Sequence, residues 1–168
     1  MTETNIIEID GKKYQLVEVK EEPKPRKTGY ERHKGDFYYV CNTKGEIVAQ
    51  IDDAPYDDCL YNIANYHTDQ QLANDNARAD ALMRNLRRFS AEGRKQKIDW
   101  RNFYQYKFYI YFDHEYKKIK VASYKRFQEF CKVFFDTEEL AKAAIEKYRD
   151  ELMWYFTEYS DTVEVFDE

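Results

Sequence analysis

Apolar and polar positions alternate with period two in several short runs, and recur with a period near 3.6 in two longer ones. The first pattern is that of half-buried strands and the second that of amphipathic helices. Ile6-Ile7-Glu8-Ile9 and Tyr14-Gln15-Leu16-Val17-Glu18-Val19 flank Asp10-Gly11, a dipeptide suited to a tight hairpin turn. Residues 20–35 hold two prolines, two glycines and dense charge, and read as a linker or extended arm. From Asp36 the pattern predicts strands over Phe37–Cys41 and Glu46–Ile51, joined by a turn at Asn42-Thr43-Lys44-Gly45. The acidic loop 52–58 follows, then a short third strand from Tyr61 to Tyr66. A helix opens at Thr68 with a Thr-x-x-Gln capping box. Its apolar stripe is Leu72, Ala79, Met83, Leu86 and Phe89, and Gly93 marks its end.

The second half follows the same order. Strands are predicted over Tyr106–Phe112, Lys117–Ser123 and Glu129–Phe135. A helix begins at Asp136 with the stripe Leu140, Ala144, Tyr148, Leu152, Tyr155 and Tyr159. The segments Thr68-Asp69-Gln70-Gln71-Leu72-Ala73 and Asp136-Thr137-Glu138-Glu139-Leu140-Ala141 align without a gap, each with an aromatic two residues earlier. The expected fold is therefore α+β: an N-terminal β-hairpin over 1–19, a charged linker over 20–35, and two tandem β-β-β-α units with antiparallel sheets. The units span 36–99 and 100–168, the second carrying an acidic tail. Each unit alone is too small to bury much surface, so the two are expected to share a sheet or pack their helices together.

Composition narrows the function. The 168 residues carry a net charge of −5, which excludes a uniformly basic nucleic-acid coat. Sixteen Tyr and two Trp supply the large rings that disordered chains lack. No run approaches the ~20 apolar residues of a membrane span. The N-terminus lacks a signal-peptide pattern. Three widely spaced cysteines make no disulfide framework, and the expected compartment is the cytoplasm. No spacing of His and Cys suggests zinc, no glycine-rich run suggests a phosphate loop, and no nucleophile has an evident base. The carboxylates Asp52, Asp53, Asp57 and Asp58 are the densest oxygen cluster, but they lack the spacing of a calcium loop and read as a solvated turn. The expectation is a protein without catalytic residues, metal or cofactor.

Two charged surfaces remain as binding candidates. The segment from Arg84 to Arg101 holds seven basic residues against two acidic ones. Arg84, Arg87, Arg88, Arg94, Lys95 and Lys97, with Tyr109 and Tyr111 on the next strand, would suit phosphates and bases. Residues 136–168 instead carry eleven acidic and three basic side chains. Asp136, Glu138, Glu139, Glu146, Asp150 and Glu151, with Tyr155 and Tyr159 as anchors, would imitate the charge spacing of nucleic acid and occupy a basic groove on a partner. The Tyr-rich faces leave a third class, a structural or assembly component, with a homodimer as its simplest form.

A family resemblance runs from about Ile6 to Tyr159. It is carried by Ile7-Glu8-Ile9-Asp10-Gly11-Lys12-Lys13-Tyr14, Gly35-Asp36-Phe37-Tyr38-Tyr39-Val40, Gly45-Glu46-Ile47 and Asn65-Tyr66-His67-Thr68. Tyr106-Lys107-Phe108-Tyr109-Ile110-Tyr111 and Phe134-Phe135-Asp136-Thr137-Glu138-Glu139-Leu140-Ala141 extend it. The chain resembles small uncharacterised proteins of phages and prophages of Gram-positive bacteria. The resemblance implies an accessory protein acting on host machinery inside the bacterial cell. Some proteins of that kind resemble inhibitors of bacterial immunity, including those of the anti-CRISPR type, and the resemblance implies such a role here. Its partner would then be a host defence protein or nucleoprotein such as a CRISPR effector. The leading expectation is thus a non-enzymatic inhibitor acting by acidic mimicry. The alternative is a nucleic-acid-binding module that uses the basic helix end and the aromatic strand.

Overall fold

The computed structural model describes residues 27–161 and the backbone of residues 6–9 and 12–15. The predicted Asp10-Gly11 turn, the end of the second N-terminal strand, linker residues 20–26 and the tail 162–168 lie outside the described residues. Strand β1 (Ile6–Ile9) pairs antiparallel with β2 (Lys12–Gln15), Ile7 opposite Tyr14.

The body is α+β. Strands β3 (Phe37–Cys41) and β4 (Ile47–Ile51) form a hairpin with Val40 opposite Val48. Gly45 takes a φ of +84° in its turn, a conformation that costs glycine nothing. Asn42 Oδ1 accepts from the N–H groups of Lys44 and Glu46 and holds that turn closed. Alternation places Tyr38 and Val40 on the inner face, where Tyr38 stacks on Tyr66 with ring centroids 4.1 Å apart.

The third strand expected over Tyr61–Tyr66 does not form. The acidic loop instead turns into helix α1 (Tyr56–Asn62). Pro55, with a φ of −60°, is pre-set for a helix start, and Asp57 and Asp58 sit in the first turn, where the helix dipole favours negative charge. Among the described residues one β contact remains on that edge of β3. Tyr39 and His67 exchange hydrogen bonds of 2.7 and 3.1 Å.

Helix α2 (Gln70–Gly93) is the longest element. Its N-cap is Asp69, one residue later than the sequence pattern placed it, and Asp69 Oδ1 accepts from Leu72 N–H at 2.8 Å. The same one-residue shift recurs later, where Thr137 rather than Asp136 caps helix α3 (Glu138–Lys147) by accepting from Leu140 N–H. A Cβ on Gly93 would collide with Leu140 Cδ1, so glycine lets the end of α2 approach the start of α3.

The second sheet has the order β6-β5-β7, built from β5 (Lys107–Asp113), β6 (Lys118–Tyr124) and β7 (Phe134–Phe135). Strand β7 is far shorter than the expected Glu129–Phe135. Cys131 has a φ of +62°, which breaks the extended run, and residues 125–133 form a loop. The expected single C-terminal helix breaks at Tyr148 into α3 and α4 (Arg149–Thr157), and Tyr159 lies beyond it.

Leu82 and Leu86 of α2 meet Phe135, Ala141, Ala144, Ile145 and Leu152 in the main core. The alanines bring α3 close to the sheet, and burying Phe135 stabilises the fold by about 1.5–3 kcal/mol. Helix α2 also packs on β3 and β4, so one helix serves both halves. Each half puts its first strand in the middle. Strand β3 lies between β4 and His67, and β5 lies between β6 and β7.

Candidate nucleic-acid interface

The acidic residues named as a mimic surface are mostly occupied by the protein itself. Asp136 is only 3% exposed. Its Oδ2 accepts from Lys95 N–H at 2.8 Å and Gln96 N–H at 3.0 Å. It is a structural carboxylate and presents no charge to a partner, which corrects its placement in the mimic set. Glu138 pairs with Lys142 at 2.6 Å, and Glu146 pairs with Arg149. Glu151 pairs with Arg78 at 2.7 Å, and the Arg78 guanidinium covers Trp154 at 3.9 Å. Only Glu139 and Asp150 of the set are exposed without an ion pair among the described residues. Tyr155 and Tyr159 are half-buried and stacked on each other. The Tyr159 hydroxyl donates to Asn76 Oδ1 at 2.8 Å, and burial pushes its pKa up to about 12. Neither ring is a free anchor.

The basic set is arranged differently. Arg84, Arg87, Arg88, Arg94, Lys95 and Lys97 are all exposed. Arg84 approaches Asp80 only at 3.6 Å. Arg88 reaches the neutral Asn85, and Arg94 reaches Ser90 Oγ at 3.3 Å. Arg87, Lys95 and Lys97 have no ion pair among the described residues. The buried Asp136 explains part of this. It binds the backbone N–H groups just past the end of α2, so the chain turns there while the side chains of Lys95 and Lys97 stay in solvent. Asp136 thus shapes the basic surface and is not part of the acidic one.

The strand rings are not a stacking face. Tyr109 is buried, stacked on Tyr124 at 4.7 Å, with Lys132 Nζ 3.9 Å from its ring centre. Tyr111 is half-buried. Exposed rings flank the strand instead: Phe103, Tyr104 (89% exposed) and Tyr106 before β5, and Phe127 and Phe130 after β6, with Phe37, Tyr56, Tyr61 and Tyr116 exposed elsewhere. The sequence signal of the first three was the run Phe103-Tyr104-Gln105-Tyr106, whose rings resemble the start of the strand that follows.

Two further features account for the remaining polar groups. In the acidic cluster, Arg32 bridges Asp52 at 2.6 Å and Asp58 at 2.7 Å, and its guanidinium holds the Asp52 carboxyl below the usual range. Buried Asp57 accepts from the Tyr38 hydroxyl and from Ala54 N–H. Among the described residues no three His, Cys, Asp or Glu side chains are grouped to hold a metal ion. A polar cleft of about 750 Å³ lies between the β3–β4 turn and α2. At its floor Asn76 Nδ2 donates to Tyr30 Oη at 2.7 Å and to His67 Nε2 at 3.0 Å. Burial lowers the His67 pKa, which favours the neutral ring, and its Nδ1 lies 3.4 Å from Tyr39 O. Each floor group therefore has a partner within the protein.

The chain matches no family model, no curated protein and no solved structure. Among the described residues no helix is long and apolar enough to cross a membrane.

Proposed function

We propose that this chain is a non-enzymatic interaction protein of phage or prophage type, acting in the bacterial cytoplasm, whose working surface is the cationic end of α2. Its ligand is nucleic acid, including that carried by a host defence nucleoprotein. The observation that carries this reading is the contrast in pairing. The cations from Arg87 to Lys97 lack carboxylate partners among the described residues, whereas Glu138, Glu146 and Glu151, three of the five carboxylates of the acidic helices, are ion-paired. A protein without a uniform basic surface concentrates phosphate affinity in such a patch, and its binding falls steeply with salt. The two halves are duplicates in this reading. Each has a central first strand, a second strand on one side and a short contact on the other, and a helix cap two residues after that contact, at Asp69 and at Thr137.

The test is charge reversal read by gel retardation of labelled oligonucleotides. Arg87→Glu with Arg88→Glu is expected to abolish retention, and Glu138→Lys with Glu139→Lys to preserve it. The opposite pattern, with a host protein captured only by the wild-type acidic surface, would return the mimic to first place.

A further inference from the structure

We propose that the loops 101–106 and 125–131 form a stacking platform for unpaired bases, so that the nucleic acid bound by this chain is single-stranded. This deepens the reading above and rests on it.

The first observation is where the exposed rings lie. Of the nine exposed Phe and Tyr rings among the described residues, five, Phe103, Tyr104, Tyr106, Phe127 (68% exposed) and Phe130 (95% exposed), belong to these two loops; Phe37, Tyr56, Tyr61 and Tyr116 lie elsewhere. Exposed apolar surface grouped in one place marks a binding site more often than rings scattered singly.

The second is how the loops are held. Lys107, the first residue of β5, is wholly buried. Its ammonium donates to Asn102 O at 2.7 Å and Lys125 O at 3.0 Å, one carbonyl from each loop region, and lies 5.2 Å from the Trp100 ring. Burying a charge with only carbonyl partners is costly, and what the cost achieves here is a fixed spacing between the two ring-bearing loops. Gln105 then ties the first loop to the basic segment, donating to Lys97 O at 2.8 Å and accepting from Asp99 N–H at 2.8 Å. The first ring-bearing loop therefore adjoins the Lys97 end of the cationic segment.

The third is the charge among the rings. Lys125 Nζ lies 4.1 Å from the centre of Tyr106, and the Arg126 guanidinium 5.9 Å from the centre of Phe103. The nearby acids Asp99 and Glu129 are paired with Arg101 and Lys132. The surface therefore asks for an anion that also carries flat faces. An acidic peptide brings charge without a regular series of rings, and a duplex keeps its base faces stacked inside. A single strand offers both, phosphates to the cations and bases to the rings.

The test uses the full chain and fluorescence anisotropy with a labelled single strand of about 12 nucleotides and the matching duplex, over a salt series. The wild type is expected to prefer the single strand. Tyr104→Ala with Phe127→Ala, both at exposed positions, is expected to weaken single-strand binding roughly tenfold or more while leaving the salt slope unchanged, because no phosphate contact is lost. Arg87→Glu with Arg88→Glu is expected to abolish binding of both oligonucleotides across the salt series. Lys107→Met, checked for folding by circular dichroism, is expected to weaken single-strand binding in the same way as the ring variants. Equal affinity for strand and duplex overturns the platform. So do ring variants that bind like wild type while the arginine variant fails, an outcome that leaves the cationic reading standing. No retention of either oligonucleotide at low salt overturns both, and a protein captured through Phe127 would then own the surface.

Discussion

Removing the Asp136 carboxylate separates its structural role from a role in binding a partner. In Asp136→Ala, the N–H groups of Lys95 and Gln96 lose their acceptor. Hydrogen bonds to a charged acceptor contribute about 1.5–3 kcal/mol each, and both donors are only part-buried, which favours the lower end. Against that, Asp136 Oδ1 is buried without a partner among the described residues, and deleting it recovers about 1 kcal/mol of desolvation. The net expectation is a loss of about 2 kcal/mol. For a chain of this size that lowers Tm by roughly 4–8 °C. Urea unfolding followed by circular dichroism measures it through the midpoint at unchanged slope. Asp136→Asn keeps one oxygen facing the two N–H groups and is expected to lose less than half as much. Oligonucleotide affinity should fall with Asp136→Ala, since the turn that presents Lys95 and Lys97 loosens. A midpoint equal to wild type, within about 0.5 kcal/mol, would refute the structural assignment.

Other expectations follow from the same geometry. Tyr38→Phe deletes the hydroxyl that donates to buried Asp57 and should cost about 1–3 kcal/mol in urea unfolding. His67 has a folded pKa below its unfolded value of about 6.5, so the unfolded chain binds the extra proton. Its stabilisation is complete above that value and fades as pH falls through it, so urea midpoints should drop between pH 7 and pH 5, and His67→Gln should flatten that drop. Asp52 is also lowered, by Arg32, and its contribution is present above the unfolded carboxylate pKa and lost as pH falls through the folded one. Midpoints of Arg32→Gln between pH 6 and pH 3 should show a smaller acid loss than those of wild type.

Much of the fold was legible because its causes are local. The Asn42–Gly45 turn, the alternation in β3 to β6 and the cap-plus-stripe pattern of α2 and α3 all act within a few residues. Even the misplacement of both caps was a uniform shift of one residue. Helix α1 was missed although Pro55, Asp57 and Asp58 are a helix start, because the aromatic text that follows resembles a strand. The truncation of β7 was not legible, since Cys131 adopts its left-handed φ in a loop whose course depends on Phe134 and Phe135 finding the core. The candidate site was legible only in its charges. Six cations could be named from the chain, but the rings chosen to accompany them, Tyr109 and Tyr111, are covered by Tyr124, Lys132 and their neighbours.

By itself, then, the sequence determined most of the element types, the α+β class and the separation of basic from acidic segments, because periodicity, capping and composition are properties of neighbouring residues. Tertiary structure decided which charges are free. Asp136 and Lys107 carry opposite charges in plain view of the sequence, yet both are buried because the elements around them close, and each then holds a loop by its backbone. Burial and pairing depend on residues brought together from distant parts of the chain, and no local pattern records them.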